Sequence, residues 1–146
     1  MTSEATETVD VMRVLAAVRE RNPVAQQLGI EVEHGELGRV RGVMPVRADM
    51  VNSKGTCHGG YIFLLGDQIG GWTCMSHNEQ AVTQSAHVTY VNPGQLGDVL
   101  VAEGVEVTKT KRSGTYDVTI TTQQTGTIVA LVRCQYLVVG PTILEA

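Results

Sequence analysis

The stretch from Tyr61 to Met75 constrains the fold of this 146-residue chain more than any other, because it is apolar or small on nearly every side and only Asp67 and Gln68 interrupt it. Its flanks extend it into an expected helix from about His58 to His77. A helix with no polar face must be enclosed. The run falls short of the roughly 20 apolar residues that cross a bilayer, so the enclosure is protein and not lipid. Five glycines, Gly59, Gly60, Gly66, Gly70 and Gly71, each cost helix propensity of up to about 1 kcal/mol relative to alanine. Close approach of a wrapping sheet would require their small size.

The rest of the chain supplies that sheet. Alternation over Ile30 to His34 and again over Arg39 to Val46, with His34-Gly35-Glu36-Leu37-Gly38 as turn residues, predicts a hairpin before the helix. After Asn78 come four strand-like runs rich in Val, Thr, Ile or Tyr: Ala81 to Val91, Val99 to Thr108, Thr115 to Thr122 and Ile128 to Val139. The turns between them, Asn92-Pro93-Gly94, Arg112-Ser113-Gly114 and Thr125-Gly126, are of the kind that join antiparallel neighbours. Upstream, Val9, Met12, Leu15, Ala16 and Val18 predict an amphipathic helix over residues 8–21, capped by Thr8, with Pro23 interrupting it or starting a second turn. Met50 to Cys57 is expected to be a loop. The expected architecture is α+β, an antiparallel sheet wrapped around one long central helix. A single domain spans 1–146, with an N-terminal helical extension over about 1–27.

Composition narrows the function. With 42% hydrophobic and 18% charged residues the chain is a folded globular one. A net charge of -4 argues against general nucleic-acid binding, which needs clustered Lys and Arg. The first ten residues, MTSEATETVD, are acidic and carry no apolar run, so they serve neither as a secretory signal nor as a basic transit peptide; no membrane segment is expected, and the expected location is the cytoplasm. Cys57, Cys74 and Cys134 are odd in number and widely spaced, and none of the four histidines is placed like a ligand pair. Free thiols and no metal are expected.

Chemistry concentrates around the central helix. In Thr56-Cys57-His58-Gly59-Gly60, the free N–H groups of a first helical turn form a site for a carbonyl oxygen that develops negative charge, and Gly59 and Gly60 let a substrate come close. Tight packing explains the two glycines equally well. Asp67 shifts the balance, since an ionised carboxylate in a buried helix is costly unless it is paired or functional. It can serve as a general base or as a nucleophile. Gly59 and Asp67 are eight residues apart, about 12 Å along a helix at 1.5 Å per residue. They cannot share one carbonyl within one chain. If both act on the same substrate, the acid comes from a second subunit whose helix lies antiparallel alongside, and a symmetric dimer holds two sites.

Other residues carry weaker signals. Asn52 could hold water or the substrate oxygen, although an ordinary Asx turn accounts for it. Ser85 and His87 share a strand face and could reach Asp67 or the ligand, or could be solvated strand residues. His58 either polarises the carbonyl or bonds backbone at the helix start, the second being the simpler. Lys109, Lys111 and Arg112, beside Ser113, form the main basic cluster and could grip phosphates; a charged hairpin tip is the commoner origin of such a run.

The run Val51-Asn52-Ser53-Lys54-Gly55-Thr56-Cys57-His58-Gly59-Gly60-Tyr61-Ile62-Phe63-Leu64-Leu65-Gly66-Asp67, followed by Ser76-His77-Asn78, closely resembles the PaaI-type (phenylacetate-degradation) hot-dog thioesterases. It has an Asn, a His-Gly-Gly helix start and an Asp nine residues after that His. The similarity extends from about Asn22 to Val139 and includes Tyr90-Val91-Asn92-Pro93 and Gly97-Asp98. The resemblance implies a hot-dog fold and hydrolysis of an acyl-CoA, with aryl-acyl groups such as hydroxyphenylacetyl, or medium-chain groups, as substrates. It also implies that Gly59 N–H polarises the thioester and that the partner's Asp67 is base or nucleophile. Asn52 and His58 then position water or substrate, Ser85 aids the water, and Lys111, Arg112 and Ser113 lie where CoA crosses a subunit interface. Coenzyme A is part of the substrate, no separate cofactor is implied, and the assembly implied is a homodimer or a homotetramer built from two. Gly66 and Trp72 depart from the pattern and bear on the acyl pocket. Two other functions fit the same scaffold. A hot-dog dehydratase would pair a His with an acid, and a non-catalytic acyl-CoA binder would keep the fold without turnover. The His-Gly-Gly start with Asn52 favours hydrolysis.

Overall fold

The computed structural model describes residues 9–145. Helix α1 (Val11–Glu20) is capped by Asp10, whose side chain accepts from the Arg13 N–H at 3.2 Å. The helix therefore starts later than the pattern suggested, and Thr8 lies outside the described residues. Pro23 opens a second helix, α2 (Pro23–Leu28), in whose first turn its missing N–H costs nothing. Asn22 caps that helix by accepting from the Ala25 N–H at 3.0 Å, and Gly29 ends it in the left-handed region at φ 69°.

Strands β1 (Glu31–Glu36) and β2 (Arg39–Pro45) form the expected hairpin, with a tighter turn than anticipated. Glu36 pairs with Arg39, so His34 to Glu36 lie within the strand and the turn is Leu37-Gly38, with Gly38 at φ 72°. A short 3-10 turn (Ala48–Met50) leads to helix α3 (Gly59–Met75). Strands β3 (Glu79–Tyr90), β4 (Val99–Lys109), β5 (Ser113–Thr122) and β6 (Ile128–Thr142) follow. All six strands join one antiparallel sheet in the order β1-β2-β4-β5-β6-β3. Strand β3 starts two residues earlier than expected and ends one earlier, and β6 ends three residues later, the extended ends pairing with one another, Glu79 opposite Thr142.

The sheet curls around α3 as the composition of that helix requires. Val40, Gly104, Val118, Val132 and Val88 form one row across five strands, and Leu65, Ile69 and Trp72 of the helix pack against the same core at 1% exposure or less. Two glycines set how closely β6 lies on the helix. A Cβ on Gly66 would stand 2.7 Å from Cγ2 of Val132, and one on Gly70 would stand 2.7 Å from the hydroxyl of Tyr136. Gly71 has ordinary contact distances, 3.5 Å at the nearest, so not every glycine in the helix is required by packing.

The far end of α3 is tied down by side chains. Ser76 donates to the Thr73 carbonyl at 2.6 Å and accepts from the Gly38 N–H at 3.0 Å, while His77 Nε2 lies 2.8 Å from Glu106 on β4. The helix thereby has a fixed axial position in the sheet. No helix among the described residues is long and apolar enough to cross a membrane. Cys57, Cys74 and Cys134 are free and buried.

Gly66→Ala should destabilise the fold by about 1–2 kcal/mol, overpacking against Val132 outweighing the gain in helix propensity, whereas Gly71→Ala should be neutral or stabilising by up to ~1 kcal/mol. Urea unfolding of the two variants beside the parent measures both shifts.

Candidate active site

The loop before α3 is folded on itself in a way that presents the helix start. Asn52 Oδ1 accepts from the N–H groups of Lys54 (3.0 Å) and Thr56 (3.2 Å), and the Gly55 N–H donates to the Asn52 carbonyl at 3.0 Å. Gly55 adopts φ 76°, a turn that favours glycine. Asn52 is thus the organiser of an Asx turn, with its Nδ2 also bonded to Thr56 Oγ1 at 3.0 Å. Backbone bonds from Cys57 to Gly94 (2.8 Å) and from His58 to Met50 (2.7 Å) hold the loop against the sheet.

His58 is the N-cap of α3, and its Nδ1 accepts from the Gly60 N–H at 2.9 Å. The Tyr61 and Ile62 N–H groups donate to the His58 carbonyl at 3.0 and 3.4 Å. Only the Gly59 N–H of the first turn is left without a partner among the described residues. The cap therefore leaves open one donor, carrying the partial positive charge of the helix end, of a kind that can bond a carbonyl oxygen. It also defines the imidazole: neutral His58 bonded in this way carries its proton on Nε2. Tyr90 completes the wall. Its hydroxyl donates to the Gly59 carbonyl at 2.7 Å, and a Cβ on Gly59 would stand 3.0 Å from its ring, a tight contact that would oblige the ring to give by a few tenths of an ångström. Cys57, Gly59, Ile62, Tyr90, Val91, Asn92 and Pro93 line a groove of about 290 Å³ at this point. Burial pushes the Cys57 thiol up to about 11, so at neutral pH it is not a nucleophile for that groove.

Asp67 lies half-buried two turns along the helix. Its Oδ1 accepts from the Thr83 hydroxyl at 2.8 Å and from the Tyr136 hydroxyl at 2.9 Å, and the same tyrosine oxygen is 2.6 Å from the Asp67 main-chain carbonyl. Burial above all, with Cys134 and Asp67 nearby, drives the Tyr136 phenol far above its ordinary range, which keeps it a neutral donor. No hydrogen bond reaches Asp67 Oδ2 from the described residues.

The strand partner of Asp67 differs from the expected ones. A bulge sets two residues, Thr83 and Gln84, against one residue of β6, so that Thr83 opposes Tyr136 and Ser85 opposes Gln135. The bulge reverses the alternation along β3. Thr83 turns toward the helix, while Ser85 and His87, opposite Gln135 and Arg133, lie on the outer face of the sheet and away from Asp67 of the same protomer. His87 instead lines an outer hollow of about 250 Å³ beside Asp117 and Arg133. The Arg133 guanidinium holds the Asp117 carboxyl below the usual carboxylate range through bonds of 2.7 and 2.8 Å.

The basic cluster is likewise remote from Gly59 of its own protomer. Lys111 and Arg112 are exposed on the β4–β5 turn, which Ser113 closes through its contacts with Thr110, its carbonyl accepting from the Thr110 N–H at 2.8 Å. That turn lies at the end of the sheet where α3 finishes, and Lys109 is paired with Glu79 at 2.9 Å. The residues missing from the sequence reading are Thr83, Tyr90 and Tyr136. Plain alternation puts Thr83 on one face with Ser85 and His87, and only the bulge separates it from them.

Residues 54–129 match the model of the Thioesterase superfamily. The chain is 35% identical over 127 residues to the acyl-coenzyme A thioesterase PaaI of Escherichia coli K12, covering 87% of this chain and 90% of that protein. The structure of E. coli PaaI, from the phenylacetic acid degradation operon, superposes with a TM-score of 0.88 at 32% identity, covering 90% of this chain and 95% of that one. A Streptococcus mutans UA159 protein bound to acetyl CoA gives a TM-score of 0.74 at 34% identity, over 77% and 90% of the two chains. A hypothetical thioesterase of Streptococcus pneumoniae TIGR4 with coenzyme A gives 0.73 at 33%, with the same coverage. Structures also exist of alanine variants of that pneumococcal protein at one Asp and at one Thr sixteen positions later.

Because His58 serves as the helix cap, His58→Ala should cost about 1 kcal/mol of stability, and His58→Asn, which keeps an acceptor for the Gly60 N–H, should recover most of it. Denaturant midpoints of the three proteins provide the comparison.

Proposed function

This chain belongs to the thioesterase superfamily, as a PaaI-type enzyme of the hot-dog fold, and we propose that it hydrolyses an acyl-CoA to the free acid and CoA at a site shared by two protomers. The observation that carries the reading is the pair of groups left open by the fold: the Gly59 N–H at the start of α3, and Oδ2 of Asp67 eight residues on. The first would polarise the thioester carbonyl. The second would take a proton from the attacking water, or would itself attack the acyl carbon. In either route the tetrahedral oxyanion is stabilised at the helix start and collapses with loss of the CoA thiolate, directly to the free acid when water attacks, or to an acyl–Asp67 anhydride when Asp67 attacks. A water then cleaves that anhydride to the acid and the free carboxylate. Thr83 holds the carboxylate, and its separation from Asp67 equals that of the Asp and Thr replaced in the pneumococcal relative.

About 12 Å of helix separates the two groups in one chain, so the acid at each site is the partner's. The protomer offers a surface suited to that pairing. Strand β3 is an edge strand of 12 residues with an open side, and Val82 and Tyr90 on it and Val91 just after it are exposed at about half of their surface. Tyr61, Phe63 and Leu64 of α3 are only half-buried. Antiparallel pairing of two β3 edges would set the two α3 helices side by side, with each Gly59 facing the other chain's Asp67. The β4–β5 turn would then lie toward the partner's helix start, where Lys111, Arg112 and Ser113 could meet CoA phosphates. Two such dimers form the tetramer we propose. Aryl-acyl groups such as hydroxyphenylacetyl, or medium-chain groups, are the proposed substrates, and a hollow of about 270 Å³ beside Gln68, walled by Trp72, Met75 and Val18, is of a size for them.

Dehydration is the weaker reading on a specific ground. A dehydratase needs a histidine base, and the tautomer of His58 that caps α3 presents Nε2–H, a donor.

Asp67→Ala and Asp67→Asn should each lower kcat by 100-fold or more (an order-of-magnitude expectation of about 3 kcal/mol) on phenylacetyl-CoA or hexanoyl-CoA, read as free thiol. Single-turnover hydrolysis in ¹⁸O-water separates the two routes. Label in Asp67 itself marks it as nucleophile, and label in the product acid alone, with no acyl–Asp67 anhydride trapped by hydroxylamine, marks it as base.

A further inference from the structure

We infer that Tyr136 is the positioning residue for the catalytic carboxylate: together with Thr83 it occupies Oδ1 of Asp67, so that Oδ2 alone is turned to the reacting atoms. The inference rests on the reading of Asp67 as the catalytic acid and extends it to a residue with no place in the motif.

Three observations support a positioning role over a packing one. The Tyr136 hydroxyl bridges two acceptors of one residue, the main-chain carbonyl at 2.6 Å and Oδ1 at 2.9 Å. A donor shared in that way clamps the side chain of Asp67 to its own backbone and restricts rotation of the carboxylate. Second, Thr83 and Tyr136 are direct cross-strand partners, so both donors come from a single rung of the sheet, and both converge on the same oxygen. Third, α3 keeps glycine at position 70, where a Cβ would stand 2.7 Å from the tyrosine hydroxyl. That glycine weakens the helix, and it makes room for the hydroxyl itself.

The ring is held as well. Tyr136 is 2% exposed, and Tyr116 packs edge-on against it at 5.8 Å between ring centres and 65° between planes. Tyr116 is in turn bonded to Glu106 at 2.7 Å. Two donors converging on one oxygen restrict the freedom of the carboxylate to turn. Positioning of this kind acts on the chemical step more than on substrate binding.

The test compares Tyr136→Phe, Gly70→Ala, the Tyr136→Phe/Gly70→Ala pair and Asp67→Asn in one assay with phenylacetyl-CoA and hexanoyl-CoA, alongside thermal unfolding. Tyr136→Phe should lower kcat about 10- to 100-fold, the scale of a hydrogen bond to a charged group, with KM unchanged within about twofold and the protein folded. Gly70→Ala keeps the phenol and displaces its hydroxyl, so it should lower kcat in the parent and cost nothing further on the Tyr136→Phe background. Where Tyr136→Phe is too unstable to assay, Gly70→Ala alone decides by the same split between kcat and KM. Unchanged kcat in both single variants, with Asp67→Asn inactive, overturns the role of Tyr136 and leaves Asp67 standing. Full activity in Asp67→Asn overturns both.

Discussion

A helix that is apolar all round can exist in water only if something surrounds it, and the structure follows from that requirement. The six strands wrap α3, and the glycines at 66 and 70 let β6 settle against it closely enough for Val132 and Tyr136 to reach helix backbone. Chemistry then has few places to occur, because the helix sides are sealed. What remains accessible is its N-terminal end, and the one flank where the sheet stops at the edge strand β3.

Those two openings have opposite electrostatic character. At the helix start the orphan N–H groups are accounted for one by one, Gly60 by the His58 ring and Tyr61 and Ile62 by the His58 carbonyl, until Gly59 alone points outward. In the proposed reaction an oxyanion forming there would meet a donor already aimed at it, with no reorganisation. On the flank Asp67 supplies the negative charge. Its two hydroxyl donors stabilise the carboxylate without neutralising it, as a salt bridge would.

Much of this was legible in the sequence, and the failures have physical causes. The helix, the six strands and the sheet wrapping follow from hydrophobic periodicity and from an apolar run too short for a membrane. Gly59 and Asp67 stand out as candidates in the sequence because each breaks a local rule, glycine in a helix and a carboxylate in a buried segment. Thr83 and Tyr136 break none. Each is an ordinary strand residue by composition; Tyr136 reaches Asp67 by the regular inward alternation of β6, and Thr83 lies opposite it because the bulge at Thr83 and Gln84 reverses the inward face of β3 with no glycine or proline to announce it. The same bulge explains why Ser85 and His87, chosen by plain alternation, face outward. His58 and Asn52 proved to be builders of the loop and the cap, roles that depend on which backbone groups come within reach.

Strand β3 connects the parts. Through Tyr90 it bonds the carbonyl of Gly59, and through Thr83 it bonds the carboxylate of Asp67, so both ends of the proposed chemistry are registered by one strand. That strand is also the open edge of the sheet. An exposed edge is an aggregation hazard in a monomer, and pairing with a second copy removes the hazard and fixes the strand's position. In the proposed dimer the contact that protects the edge is therefore also the contact that brings each Gly59 to the other chain's Asp67. A displacement of β3 along its axis would disturb the donor, the acid and the interface together, which ties catalysis to assembly through hydrogen bonds already present in each protomer.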